Sequence, residues 1–405
     1  MPEHGVAGRI VGIPRGMNAL GFRRGLAPLA AIGGLFLAQA GVPVEAAAPP
    51  GKTLGFVITT WNIASYETRF VDECPRGLNV GYDEYWWRGL SKEDRARYTD
   101  NGLKSRLERY FNAIRRGPNG EDVCMNPTAV KDPPLLLVEG EKAYGMDLDG
   151  KDGVAAGRSC PHREFTGVDG TSGVDNQLYR LLGCVYGFRS YGQVEANENE
   201  NRKSNGKGMT LVEVTGVDDT RNDPEVTVNF YRAIDLYTLD GSGRFLPHGS
   251  YRIDTHDGKP RYASSVRGKI SNGVLITEPG DVNLPFYGNY TYQNRLFRDL
   301  RIRMTLSPDG NSAEGLAAGY FGVKDLMFYV GSIGPIQSTT ISNCPSIHVA
   351  ANEIADGHPD PKTGDCTTLS SAFVFKAVAA FVVHGDQRTA ATGRGLLDRI
   401  KEVFQ

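Results

Sequence analysis

The stretch RGKISNGVLIT (267–277) sets two short runs of alternating apolar and polar residues around Asn272-Gly273. That dipeptide suits a two-residue hairpin turn, because both central positions of the turn need positive φ. The stretch therefore predicts two antiparallel strands joined tightly. Working outward, LRIRMTL (300–306) alternates strictly before the turn SPDG, while MTLVEVTG (209–216) and EVTVNFYRAI (225–234) flank an acidic turn. Short strands at this spacing suit an antiparallel β-sandwich or jelly roll. Upstream, TLGFVITTWNIASYE (53–67) and PPLLLVEG (133–140) read as strands. GLKSRLERYFNAIRRG (102–117) reads as a helix, with Leu103, Leu107, Tyr110, Phe111 and Ile114 on one face.

The expected fold is α+β and mainly β. An antiparallel β-sandwich or jelly-roll body (209–335) follows an N-terminal mixed, disulfide-bonded loop module (49–200). A small helical C-terminal cap (336–405) is expected from CPSIHVAANEIADG (344–357) and GLLDRIKEVF (395–404). The polar tract EANENENRKSNGKG (195–208) offers little to bury and reads as an exposed boundary. The 50 glycines and 22 prolines among 405 residues favour a loop-rich β protein over a helical bundle.

Residues 1–48 read as a signal peptide: Arg23 and Arg24 precede the apolar run LAPLAAIGGLFLAQAG (26–41), and small residues follow in VEAAAPP. The pair in FRRGL resembles a twin-arginine leader. No later run reaches the length of a membrane span without a charge; LSSAFVFKAVAAFVVH (369–384) carries Lys376 in its middle. Export to a periplasmic or extracellular compartment agrees with the even set of cysteines, Cys74, Cys124, Cys160, Cys184, Cys344 and Cys366. Proximity in sequence pairs 74 with 124, 160 with 184, and 344 with 366. With Lys+Arg at 45 against Asp+Glu at 47 there is no basic excess to attract nucleic acid.

The chemistry-bearing residues gather in MDLDGKDG (146–153) and GVDGTSGVDNQ (167–177). Asp147, Asp149, Asp152, Asp169 and Asp175 lie in glycine-rich loops, where carboxylates and carbonyls together supply the oxygen shell that calcium takes. Arg158 stands where a helix-loop-helix calcium hand places its glutamate, so a bespoke site is expected, with turn formation as the plainer use of Asp and Gly. The loop ADGHPDPKTGDC (355–366) offers Asp356, Asp360 and Asp365 as a second carboxylate set, with a rigid connector as the plainer reading, and YDEYWW (82–87) offers an aromatic platform for sugar rings, with packing as the plainer reading.

No GxSxG, HExxH, phosphate loop or GxGxxG occurs, and His162, His248, His256, His348, His358 and His384 show no i, i+4 ligand spacing. The sequence thus points to an exported, calcium-stabilised binding or structural protein with a protein or carbohydrate ligand. A secreted hydrolase acting on polysaccharide through paired carboxylates is the alternative.

Overall fold

The computed structural model describes residues 51–385, apart from 69–71, 80, 100–101, 151–158, 191, 193, 206–208, 289–290 and 333–343. The leader, Asp152 and the helix expected at 395–404 lie outside the described residues.

The body is a closed eight-stranded antiparallel barrel, and this corrects the expected sandwich or jelly roll. Its strands are β1 (Lys52–Ile63), β2 (Thr210–Val217), β3 (Asn222–Arg232), β4 (Ser264–Ser271), β5 (Val274–Thr277), β6 (Thr291–Leu306), β7 (Ser312–Gly322) and β8 (Cys366–Val383). Each pairs with its neighbour in sequence, and β1 pairs with β8 from Phe56↔Ala379 to Ile63↔Phe373, which closes the ring. A sandwich keeps edges; closure removes them. Residues 366–383, expected in a helical cap, form this closing strand.

The hairpin at Asn272-Gly273 is present, with φ of 51° and 77° at the two turn residues. In β4, Val266 and Ile270 point inward while Ser265, Arg267, Lys269 and Ser271 face water. A lipid-facing barrel shows the opposite pattern. Among the described residues no helix is long and apolar enough to cross a membrane. The interior is filled by side chains, as eight strands allow: Trp61 lies 5.2 Å from Phe373 and 5.8 Å from Phe375, and Phe297 lies 5.2 Å from Phe321. A register shift between Ile58 and Thr60 explains how Phe56, Ile58 and Trp61 all face the interior despite their mixed parity.

An up-and-down barrel sends alternate connections to opposite ends. At one end they are tight turns at 218–221, 272–273 and 307–311; at the other they are long excursions at 64–209, 233–263, 278–290 and 323–365. The first carries α1 (Tyr82–Gly89), α2 (Lys92–Ala96), α3 (Leu103–Ile114), α4 (Gln177–Leu182) and α5 (Val194–Asn205), and the last carries α6 (Val323–Ser332) and α7 (Cys344–Glu353). The segment 133–140, expected as a strand, has no regular secondary structure. Asn79 holds it by bonding both the carbonyl and the amide of Leu136. Of the tract expected to be exposed, residues 195–205 belong to α5, which buries Glu198 and Arg202 against the end of the barrel; 206–208 lie outside the described residues.

All six cysteines are bonded, with none of the expected partners: Cys74–Cys184, Cys124–Cys344 and Cys160–Cys366. The first lies within the long excursion after β1. The other two tie that excursion to the segment before β8 and to β8 itself.

Candidate metal centre

The excursion after β1 packs on the outer face of β7 and β8, where Leu316, Ala318, Tyr320 and Ala372 meet Ala64, Leu148, Tyr144 and Met146. The two aspartate loops come together along this seam. Gly145 permits the approach, since a Cβ there would stand 2.6 Å from Val174 Cγ1 and 2.8 Å from the Asp175 carbonyl. The amide of Asp175 then bonds the Met146 carbonyl at 3.0 Å. Asn176 caps α4 by accepting from the Tyr179 amide at 3.0 Å, which ends the loop immediately after Asp175.

Asp149 and Asp175 are brought together with His162; one donor atom from each lies within 4.8 Å of the others. Asp356, from the loop read first as a rigid connector, joins them with Oδ2 3.9 Å from His162 Nε2. Asp175 Oδ1 lies 2.7 Å from the same nitrogen, and its Oδ2 accepts from the Leu148 amide at 2.7 Å. Asp356 Oδ1 accepts from the Ser370 amide at 2.6 Å. Asp149 is 6% exposed and Asp175 and Asp356 are both 0%, yet Asp149 Oδ2 and Asp356 Oδ2 make no hydrogen bond. Buried carboxylate oxygens without a partner carry the full cost of desolvation.

His162 Nδ1 lies 2.8 Å from the Cys160 carbonyl, which can only accept, so Nδ1 holds a proton and Nε2 is turned toward the carboxylates. Burial opposes the imidazolium, but the Asp175 hydrogen bond, the Cys160 carbonyl and the nearby aspartates together push His162 up to about 9. Burial raises Asp356 to about 6, and burial followed by the Asp175 charge raises Asp149. Tyr320, buried beside the three aspartates, is raised as well, first by burial and then by their charges. Arg301 directs Nη1 to the Asp147 carbonyl at 2.6 Å and Nη2 to the Leu148 carbonyl at 2.7 Å, fixing the loop rather than neutralising it.

The remaining expected ligands stand apart. Asp147 turns its Oδ1 to the Gly150 amide at 2.6 Å, closing its own turn. Asp169 is exposed and accepts from the Thr171 amide at 3.1 Å; its hydrogen bonds to Thr171 hold it below the usual carboxylate range. His162 carries no ligand expectation in the sequence, and Asp356 stands in a loop whose plainer reading is a connector. His162 follows Cys160 by two residues and Asp356 precedes Cys366 by ten, so pairing those cysteines would have joined the two regions.

The donor set of three carboxylate groups and one imidazole suits a divalent cation. Comparison of the chain with protein-family models, curated proteins and solved structures finds no match.

Proposed function

We propose that this is an exported binding or structural protein in which a divalent cation, held by Asp149, His162, Asp175 and Asp356, fastens the excursion after β1 to the barrel wall. The observation that carries the reading is a pair of buried carboxylate oxygens without a hydrogen bond beside His162: Asp356 Oδ2, 3.9 Å from Nε2, and Asp149 Oδ2, whose carboxylate clusters with His162 and Asp175. An ion would supply the missing partner for each. Four protein donors, nearly closed off from solvent, match a structural site better than a catalytic one, which keeps a position open. One imidazole among the oxygens favours zinc or manganese, while calcium, the ion expected from the aspartate spacing, prefers oxygen alone. Three disulfides support an oxidising compartment.

For the hydrolase alternative, Glu195 and Glu198 line a cavity at the end of the barrel with Trp61, Phe297 and Phe373. That void is about 20 Å³, room for a water and not for a sugar ring. The geometry therefore favours the cation reading.

The test is elemental analysis of the purified protein followed by titration of metal-free protein with zinc, manganese and calcium. One equivalent of ion should bind and raise the melting temperature. If none of the three binds more tightly than about 1 mM, the weak end for extracellular calcium modules, the reading fails.

A further inference from the structure

We infer that the Cys160–Cys366 disulfide is the clasp of the cation site, so that the site reaches full affinity only in the oxidised chain; this rests on the cation reading above. The four proposed ligands come from two distant parts of the sequence. Asp149, His162 and Asp175 belong to the excursion after β1, while Asp356 precedes β8. The disulfide joins these parts across 206 residues of chain and lies two residues from one ligand.

Its surroundings connect it directly to the ligands. The Cys160 carbonyl takes the Nδ1 proton of His162 at 2.8 Å and so sets the ring. The Cys160 amide donates to the Asp356 carbonyl at 2.8 Å, and the Asp356 amide donates to the Thr368 carbonyl at 3.0 Å. The preceding residue, Ser159, bridges Gly357 and also hydrogen-bonds Asp149. One cystine therefore stands behind the ring orientation of His162, the backbone of Asp356 and the hydroxyl partner of Asp149. The other two disulfides share no hydrogen bond with a proposed ligand among the described residues: Cys74–Cys184 packs with Val138 and Tyr179, and Cys124–Cys344, although it too ties the excursion to the segment before β8, packs at Cys124 beside Val123 and Ile114. Partners placed just behind metal ligands typically govern affinity by about 10- to 100-fold when removed.

Reduction needs a two-electron donor. Two glutathione thiols give up two electrons and two protons and become one glutathione disulfide, while the Cys160–Cys366 bond breaks into two thiols. Cys124–Cys344 still ties the two parts of the chain, but Asp356 and His162 lose the covalent tie that stands directly behind them.

Zinc affinity is measured on the full chain by competition with a chromophoric chelator, for the parent, C160S/C366S and C74S/C184S. The expected result is at least a tenfold loss in C160S/C366S and less than a threefold change in C74S/C184S. Equal affinity in the parent and C160S/C366S overturns the clasp and leaves the cation site standing. Where manganese or calcium is the ion bound, the same comparison is made with that ion; no binding of zinc, manganese or calcium by the parent overturns the reading beneath both.

Should C160S/C366S fail to fold, the parent protein is equilibrated in a glutathione buffer, with free zinc fixed by a chelator, and its free thiols are mapped by alkylation. Linkage is reciprocal, so zinc must protect Cys160–Cys366 from reduction by the same factor by which the bond strengthens zinc binding. Selective protection of that bond supports the inference, and identical reduction with and without zinc overturns it.

Discussion

Asp149 and Asp169 were expected as equal ligands, and their surroundings assign them opposite roles. Asp149 is buried with one oxygen unpartnered, whereas Asp169 is exposed and caps a turn through Thr171. In metal-free protein, Asp149 adds to the repulsion at Asp175, so Asp149→Asn should raise the melting temperature without ion. The same substitution removes a ligand and should abolish most of the rise on adding ion. In the parent that rise corresponds to about 2.7 kcal/mol at 100 times the dissociation constant. Asp169→Asn should leave the ion response intact and cost at most about 0.5 to 1 kcal/mol. Melting curves with and without ion decide this; an unaltered response in Asp149→Asn would remove it from the site. The difference between the two aspartates was illegible in sequence because both sit in Asp-Gly loops of the same composition. Burial, which separates them, depends on what packs above.

At the scale of the element, α5 carries a charge pattern that composition misrepresents. VEANENENRKSN looks like a solvated tract, but the helix docks across the end of the barrel, where Glu198 bonds Tyr329 and Arg202 donates to the Trp61 carbonyl at 3.1 Å. Residues four apart fall on one helical face, so a tract can be polar throughout and still bury Glu198 and Arg202 where partners await them. Glu195, on the same helix, accepts from the Ile63 amide. Burial first, then the charges of Glu198 and Glu67, push Glu195 from 4.5 up to about 8, against the opposing effects of the Ile63 amide and Arg202. Arg295 and Tyr329 line the same cavity from the barrel wall and α6.

The folded state thus holds a proton that the unfolded chain releases. The stability this proton contributes is fully present below about 4.5 and declines as pH rises through about 8. Glu195→Gln keeps the shape without the titration and should flatten this part of the decline between pH 5 and 8.5. Parallel melting curves for parent and variant across that range would show that Glu195 does not titrate in the window.

Over the whole molecule, the barrel depends on its two most distant strands. The register Phe56↔Ala379 to Ile63↔Phe373 joins β1 to β8, and β8 also pairs with β7 over Ser312↔Val378 to Gly322↔Thr368. A chain ending at residue 365 leaves β1 and β7 with open edges and exposes the interior faces of Trp61 and Phe297. Such a fragment should aggregate and show no cooperative melt, whereas the full chain should unfold in a single transition. A soluble fragment with a sharp melt would show that closure is dispensable. The sequence by itself determined the local units: the Asn-Gly hairpin, the alternating strands of 209–306, the helices at 103–114 and 344–353, and an even set of cysteines. Each of these follows from periodicity or turn chemistry within a few neighbouring residues. Only the tertiary structure decided that the sheet closes, that each cysteine bonds a distant partner, and that His162 and Asp356 meet Asp149 and Asp175. Those contacts span up to hundreds of residues, and which of many possible closures wins is set by the packing of the assembled faces, for which no local pattern exists in the chain.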